Sequence, residues 1–239
     1  MPRFFIDPAH IGATQISLDQ ETLSHIRVLR LGPKEPFIVS DGTGQDYQCI
    51  LSGDAAEILS RSKNRAEPQI QCTVYLAFTR GERMEYAIQK SVELGAVAIR
   101  LFLAERCVAR YDAKALPKKL ARFEKIALEA AKQSGRGMVP TVTALPDLKT
   151  AMGEAAMGDC PLFCYELESQ NSLRIVLEQT KNPKTVSLVI GPEGGFTEAE
   201  AARAQTAGLR LITLGRRILR AETAPVAALA AVLFWAGEM

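Results

Sequence analysis

Leu188-Val-Ile-Gly-Pro-Glu-Gly-Gly-Phe-Thr197 is the stretch that decides the fold. An apolar strand leads into a glycine-rich loop, and Thr197 with Glu200 on its C-terminal side predicts a helix that begins with a capping box. Ligands of open α/β sheets bind at the carboxyl ends of strands, which is where this loop falls. The spacing matches neither a phosphate loop nor a dinucleotide fingerprint. The stretch therefore predicts either a different kind of ligand site or a tight turn.

A second loop follows the strand predicted at Leu211–Leu214, and it is rich in arginine. We expect Ile218 and Leu219 to line an apolar pocket, with Arg220 facing an anion or a developing charge. A solvated basic turn is the alternative. Thr223 is predicted to cap the final helix.

Residues 69–239 alternate between strand-like and helix-like patterns. The predicted strands are Cys72–Phe78, Val97–Leu103, Leu162–Tyr165, Val186–Ile190 and Leu211–Leu214, and the predicted helices are Met84–Leu94, Leu116–Gln133, Ser172–Thr180, Glu198–Ala207 and Ala224–Ala236. Such alternation predicts an α/β domain with a mostly parallel sheet covered by helices.

Residues 1–68 have a different pattern, with short β-rich stretches such as Phe37–Ser40 and Tyr47–Leu51 separated by turns. Several short strands in so few residues predict a small barrel. A short helix is predicted at His25–Leu31, and polar Ser62–Pro68 reads as a linker to the second domain.

The net charge of +2 is weak evidence for a nucleic-acid partner, but the charges are unevenly distributed. Residues 80–136 hold 13 Lys and Arg against 7 Asp and Glu, and Arg203–Arg220 holds five arginines and no acid. These segments could hold phosphates, although a solvated helix face explains part of the pattern equally well.

Neither a signal peptide nor a membrane span is expected, which favours a cytoplasmic location. The MPRFFIDP start lacks an apolar core followed by a cleavage site, and the longest candidate span, Ala221–Phe234, carries Glu222, Thr223 and Pro225 near its start. The five cysteines and two histidines lack the spacing of a zinc site, so no metal is expected and the thiols are expected to be reduced.

Three stretches together resemble a known family. Ile190-Gly-Pro-Glu-Gly-Gly-Phe196 and Leu214-Gly-Arg-Arg-Ile-Leu-Arg-Ala-Glu-Thr-Ala224 resemble the cofactor-binding motifs of SPOUT methyltransferases. With Glu82-Arg-Met-Glu-Tyr-Ala-Ile-Gln-Lys-Ser-Val-Glu-Leu-Gly95, they resemble more narrowly the small-subunit ribosomal RNA methyltransferase E family. The resemblance covers essentially the whole chain.

The resemblance implies an RNA-binding PUA-like β-barrel at residues 1–68 and a SPOUT trefoil-knot methyltransferase domain at residues 69–239. It also implies a homodimer that uses S-adenosyl-L-methionine to methylate N3 of a uridine in 16S rRNA, within the small ribosomal subunit. The implied cofactor residues are Tyr165, Ile190, Gly191, Glu193, Gly194, Gly195, Leu214, Gly215, Ile218, Leu219 and Thr223. Candidate RNA contacts are Arg3, Arg27, Arg30, Arg83, Lys90 and Arg106.

Arg220 is the predicted catalytic residue. Uracil N3 carries a proton that must be lost on methylation, and no histidine lies near the motifs to act as a base. We expect Arg220 to stabilise the developing negative charge, with Glu193 or Glu222 assisting a water or orienting the arginine. A structural salt bridge from Arg220 to Glu222 is the alternative.

Two further functions remain open from the sequence. The first is a SPOUT enzyme that modifies another base or a ribose 2′-hydroxyl. The second is an RNA-binding or assembly protein that keeps the fold without catalysis, although the intact glycine and arginine loops disfavour it. A Rossmann-type dehydrogenase is disfavoured further because the dinucleotide fingerprint is missing.

Overall fold

The structure, a computed structural model, describes residues 1–110, 112 and 114–239 and divides into two compact units. The first unit comprises Met1–Glu67 together with Ala131–Val139, a segment that the sequence assigns to the second domain. The second unit comprises Pro68–Ala130 and Pro140–Met239.

The first unit is built on a five-stranded sheet that curls around an apolar core. Its elements are β1 (Arg3–Phe5), a short 3₁₀ helix (Pro8–His10), β2 (Gln15–Ser17), α1 (Gln20–Val28), β3 (Phe37–Ser40), β4 (Gln45–Ser52) and β5 (Ala55–Lys63). The strand order is β1-β3-β4-β5-β2, in which only β1 and β3 pair in parallel. Phe4, Ile16 and Phe37 are buried in the core.

The helix predicted at His25–Leu31 is wrong in its position, because α1 begins and ends earlier. The Asp19 carboxylate accepts the backbone N–H of Thr22 at 2.7 Å, which fixes the start of the helix. Arg30 adopts a left-handed conformation with φ of 55°, which cannot continue a right-handed helix.

The linker predicted at Ser62–Pro68 is also wrong in part, since β5 continues to Lys63 and the next residues are bonded. The side-chain amide of Asn64 donates to the backbone carbonyl of Gly135 at 3.0 Å. The Glu67 carboxylate accepts from the guanidinium of Arg136 at 2.7 Å, and Arg136 is only 2% exposed. These bonds join the two stretches of chain that form the first unit.

The second unit contains a six-stranded sheet in which every neighbouring pair is parallel. Its strands are β6 (Gln71–Ala77), β7 (Ala98–Phe102), β8 (Thr141–Ala144), β9 (Cys160–Cys164), β10 (Thr185–Ile190) and β11 (Arg210–Ile212), in the order β11-β9-β10-β6-β7-β8. The helices are α2 (Glu82–Glu93), α3 (Ala115–Ser134, whose last turn belongs to the first unit), α4 (Leu148–Ala155), α5 (Leu173–Gln179), α6 (Glu198–Thr206) and α7 (Thr223–Trp235). The predicted α/β class with a parallel sheet is confirmed.

The sequence patterns did not predict β8 and α4. The strand Thr141–Ala144 is short and half polar, so it carries too few apolar residues to show a period. The start of α4 does have a local signal, because the Asp147 carboxylate accepts the N–H of Thr150 at 2.8 Å as an N-cap.

All five cysteines are free thiols, as expected, and four of them are buried. Burial raises the pKa of Cys49 to about 11 and the pKa values of Cys72 and Cys164 to about 12. Across residues 1–110, 112 and 114–239, no three His, Cys, Asp or Glu side chains are grouped closely enough to hold a metal ion. No helix in these ranges has the length and apolar character needed to cross a bilayer.

Arg3 and Asp46 form a buried ion pair in the first unit. The guanidinium of Arg3 donates to the two carboxylate oxygens at 2.6 and 3.0 Å, and the two side chains are 11% and 10% exposed. Burial alone would raise the pKa of Asp46, but hydrogen bonds from Arg3, Ser40 and Asn64 outweigh it and hold this pKa below its usual value. Arg3, predicted as an RNA contact, therefore has its guanidinium engaged within the protein.

We expect Asp46→Asn to lower the free energy of unfolding by about 3 kcal/mol, because it leaves the buried guanidinium of Arg3 without a counter-charge. Urea titration followed by far-UV circular dichroism measures the effect. Asp54→Asn, at an exposed position between β4 and β5, is the matched control.

The same pair predicts a pH dependence. Folding lowers the pKa of Asp46, so the ionised carboxylate adds to the free energy of unfolding. This contribution is fully present above the unfolded-state pKa and is lost as the pH falls through the lowered pKa of the folded state. The stability difference between the wild type and Asp46→Asn should disappear over that acidic range. Equal stability of Asp46→Asn and Asp54→Asn at neutral pH would contradict the assignment.

Candidate functional site

A cavity of about 480 Å³ lies at the carboxyl ends of β9, β10 and β11. These strands are neighbours in the sheet and run in the same direction, so the loops that follow them meet at one edge. The cavity volume falls within the range of small-molecule sites. A cavity therefore lies at the position where the glycine-rich stretch predicts a ligand site.

The cavity contains the predicted cofactor residues with one exception. It is lined by Tyr165, Ile190, Gly191, Glu193, Gly194, Gly195, Leu214, Gly215, Ile218 and Leu219, and also by Arg220. Thr223 is not part of the lining, and its predicted role as the N-cap of α7 is wrong. Glu222 occupies the cap position with helical angles, and the Arg220 carbonyl accepts the N–H groups of Thr223 and Ala224 at 2.9 Å.

The glycines of the loop after β10 bring backbone to the cavity wall. Gly195 has φ of +65°, and a Cβ at this position would lie 2.6 Å from Cδ of Glu166, which also lines the cavity. A Cβ at Gly194 would lie 3.1 Å from Cβ of Arg106. A side chain at either position would move its neighbours, so the backbone itself forms this wall.

Aromatic packing and an arginine hold this loop in place. Phe196 is 1% exposed, and its ring centroid lies 4.1 Å from that of Phe163 on β9. Nη1 of Arg106 donates to the carbonyls of Gly194 and Phe196 at 3.1 and 3.3 Å. Arg106 therefore supports the loop from the segment that follows β7.

The capping box predicted at the start of α6 is confirmed. The hydroxyl of Thr197 accepts the N–H of Glu200 at 3.2 Å, and the Glu200 carboxylate accepts the N–H of Thr197 at 2.8 Å. The second oxygen of Glu200 accepts the N–H of Glu105 at 2.9 Å. This buried carboxylate thus joins the loop after β10 to the loop after β7.

Arg83, in the first turn of α2, lies between two carboxylates near the cavity. Its Nη1 is 3.3 Å from Oε1 of Glu193, which also accepts the N–H of Arg80 at 3.1 Å. Its Nε is 3.9 Å from Oε1 of Glu222. One guanidinium therefore links the loop after β10 to the start of α7.

Three buried polar atoms of this region have no hydrogen-bond partner among the described residues. They are Oη of Tyr165, Oε2 of Glu193 and Oε2 of Glu222. Leaving a buried polar atom unpaired costs about 1–3 kcal/mol, so such atoms are normally satisfied by a partner. Tyr165 and Glu193 also line the cavity, so their unpaired atoms can bond with groups of a bound ligand.

Arg220 is exposed at the cavity, and its side chain forms no hydrogen bond or ion pair with the residues that the structure describes. The salt bridge to Glu222 considered from the sequence is not formed, because Glu222 lies beside Arg83. The guanidinium of Arg220 is thus available to an anionic group in the cavity.

The six candidate RNA contacts fall into two groups. Arg3, Arg83, Lys90 and Arg106 are engaged with groups of the protein, and Arg27 and Arg30 are not. The ammonium of Lys90 lies 2.8 Å from the Glu93 carboxylate. Arg27 and Arg30 are exposed on the first unit, without a side-chain partner in the described part of the chain.

Sequence reasoning missed cavity residues that come from all three strand ends. These are Cys164, Glu166, Pro192, Ile212, Thr213, Arg216, Arg217, Ala221 and Ala224. Most flank residues that were predicted. Glu166 could have been found from its place just after a strand, but only if β9 was known to lie beside β10.

A family model described as an RNA methyltransferase domain matches residues 65–233. The ribosomal RNA small subunit methyltransferase E of Bacillus subtilis is 32% identical, over 98% of this chain and 96% of its own length. The chain belongs to this methyltransferase family. The family member of Mesomycoplasma hyopneumoniae is also 32% identical, over 95% of this chain and 96% of its own.

Solved structures agree with this family membership. A small subunit methyltransferase E from Neisseria gonorrhoeae, bound to S-adenosyl methionine, has a TM-score of 0.87 and 33% identity and covers 98% of this chain and 97% of its own. A putative methyltransferase from Legionella pneumophila, with the same cofactor bound, has a TM-score of 0.85 and 27% identity and covers 97% and 96%. The expected fold class of a methyltransferase E family member is thereby confirmed, and the knotted threading stays a prediction.

Proposed function

We propose that this chain uses S-adenosylmethionine to methylate N3 of a uridine in 16S rRNA of the small ribosomal subunit. Its membership of the small-subunit methyltransferase E family supports the reaction class and the substrate. The observation that carries the proposal is a single cavity in which the glycine loop, unpaired polar atoms and a free Arg220 meet. A ribosomal substrate implies that the enzyme acts in the cytoplasm.

The residues of the cavity fit S-adenosylmethionine, which supplies an activated methyl group when bound. Oε2 of Glu193 and Oη of Tyr165 are unpaired and can meet its ammonium, hydroxyl or amino groups. The backbone at Gly194 and Gly195 can approach the cofactor closely because no Cβ intervenes. Ile218 and Leu219 supply apolar surface on the opposite loop.

Arg220 is the residue that we assign to catalysis. Methylation breaks the N3–H bond of uracil, and loss of this proton puts negative charge on the base until the new N3–C bond neutralises it. A guanidinium that is not committed to another carboxylate can stabilise that charge. No histidine lines the cavity in the described part of the chain, which disfavours imidazole as the base.

The departing proton has two candidate acceptors. Glu193 and Glu222 each keep one buried carboxylate oxygen without a donor, and Arg83 holds the other oxygens of both. Glu193 lines the cavity and can take the proton directly or through a water, whereas Glu222, which is not part of the lining, would need a water. Arg83 is then a positioning residue that orients both carboxylates.

RNA binding by the first unit remains a proposal. Arg27 and Arg30 are exposed there and are available to phosphates. Arg3 is a weaker candidate than the sequence indicates, because Asp46 already holds its guanidinium.

The surface of α7 supports a homodimer. The helix carries no charged residue from Thr223 to Trp235, yet Ala227, Ala231 and Phe234 form an exposed stripe and Phe234 is 74% exposed. These side chains line an apolar groove of about 680 Å³ that shares Leu214 and Gly215 with the cofactor cavity. An apolar stripe of this kind favours burial against a second copy of the chain, next to the active site.

The functional test is nucleoside mass spectrometry of 16S rRNA from cells that lack the gene. We expect 3-methyluridine to be lost, and wild type but not Arg220→Ala to restore it. The purified variant should lose about 10²–10³-fold in methylation rate while still binding the cofactor. Arg203→Ala, at an exposed position on α6, is the matched control.

The alternatives considered from the sequence give different results in that experiment. Persistence of 3-methyluridine without the gene would refute the N3 assignment, and loss of another methylated nucleoside would identify the true target. Failure of the wild-type protein to bind S-adenosylmethionine would instead favour a non-catalytic RNA-binding protein.

Gly195→Ala should weaken S-adenosylmethionine binding by about tenfold or more, measured by isothermal titration calorimetry, since each 1.4 kcal/mol is a factor of ten. The new methyl group would displace the Glu166 carboxylate at the cavity wall. Gly208→Ala is the control, because its φ of +92° carries a similar backbone strain in open space after α6. Equal cofactor affinities of the two variants would contradict the role assigned to this loop.

Phe234→Glu should convert a dimer into a monomer, because it places a charge in the centre of the apolar stripe. Sedimentation equilibrium measures the mass. Met157→Glu changes a side chain that is 88% exposed after α4 and should leave the dimer intact. A monomeric wild type would rule out the homodimer.

A further inference from the structure

The outer face of α3 carries a row of basic side chains. The helical spacing places Lys118, Arg122 and Lys125 on one side of α3. Lys114, which immediately precedes the first residue of the helix, extends this row. All four are exposed. We call these four residues the α3 basic face.

The opposite side of α3 explains why this face points outward. Phe123, Ala127 and Ala130 are at most 3% exposed and recur with the helical period about half a turn away from the lysines. The apolar side fixes the rotation of the helix about its axis. The basic face is therefore a fixed feature of the second unit.

The lysines of this face differ from neighbouring cations of residues 80–136 that are already paired. Arg100 pairs with Glu154 at 3.0 Å, and Arg122 pairs with Glu85 at 2.7 Å. Lys118 and Lys125 have no side-chain partner among the described residues, and only the backbone N–H of Lys114 is bonded, to Asp112. Three positive charges are thus left without a counter-charge from this part of the chain.

The α3 basic face is connected to the cavity by two ion pairs. Arg122 is bonded to Glu85 in the first turns of α2, and Arg83 in the same region of α2 is bonded to Glu193 at the cavity wall. All of these residues belong to the second unit. Only one helix, α2, therefore lies between the lysines and the proposed reaction site.

We propose that the α3 basic face binds the phosphate backbone of the RNA substrate and guides the target nucleotide towards the cavity. This inference rests on the proposed function. With a rise of about 1.5 Å per helical residue, the row from Lys114 to Lys125 spans roughly 16 Å, long enough to contact several phosphates. Lysine side chains act as mobile point charges, which suits a contact that positions the backbone without reading bases.

An acidic protein surface is the competing partner, since it would also complement these charges. RNA is favoured because only α2 separates the face from a cavity whose proposed substrate is a nucleotide. RNA also makes a distinct prediction, because each phosphate contact releases counterions and makes the affinity depend on salt.

The test measures binding of a 16S rRNA transcript to the full-length protein over a range of salt concentrations. Lys118→Gln with Lys125→Gln should weaken binding and reduce the slope of log affinity against log salt by about 1.4–1.8, since each lost contact contributes about 0.7–0.9. The matched control is Lys149→Gln with Lys181→Gln, which removes two exposed lysines from other parts of the second unit.

Kinetics supply the second readout. The Lys118→Gln, Lys125→Gln variant should raise KM for RNA and leave kcat and S-adenosylmethionine affinity unchanged. A salt slope and KM equal to those of the control, with methylation intact, would overturn the proposal and point to a protein partner. If the wild type neither binds nor methylates the transcript or the small subunit, the proposed function itself fails and this inference fails with it.

Discussion

The parallel pairing of β9, β10 and β11 is the constraint on which the rest of the second unit depends. On one face of the sheet, Phe163 on β9 stands between Val189 and Leu211, and on the other face Leu162 stands beside Leu188; all five side chains are buried. Apolar side chains of this kind are satisfied on both faces only in a covered parallel sheet. Because the three strands run in one direction, their loops emerge together and enclose the cavity.

In the second unit, Arg83 and Arg106 hold loops of the cavity, whereas Arg216, Arg217 and Arg220 line the cavity without a side-chain partner among the described residues. Arg106 bonds to the carbonyls of the glycine loop, and Arg83 bridges the carboxylates of two different loops. These hydrogen bonds and ion pairs keep the cavity walls in place before a ligand binds. Arg220 lines the cavity without such a commitment, which supports the catalytic role that we propose for it.

The sequence predicts the parts of the site whose causes are local. The capping box of Thr197 and Glu200 and the glycines before it signal their structure within a few residues. The contact of Gly195 with Glu166 depends on strand order, which no local pattern encodes. The ion pair of Arg3 is likewise hidden in the sequence, since Asp46 lies far along the chain and only folding brings the two charges together. Without that partner, Arg3 looks available to RNA.

The buried thiols have a practical consequence for chemical labelling. Thiolates, not thiols, react with maleimides and similar reagents, and the pKa values of about 11 for Cys49 and about 12 for Cys72 and Cys164 keep these groups protonated at neutral pH. Cys107 and Cys160 are buried as well, and their pKa values are also raised by burial. Four of the five thiols are both buried and protonated, and half-buried Cys164 at the cavity is protonated too, so we expect a cysteine engineered on the surface to react in preference to the natural five.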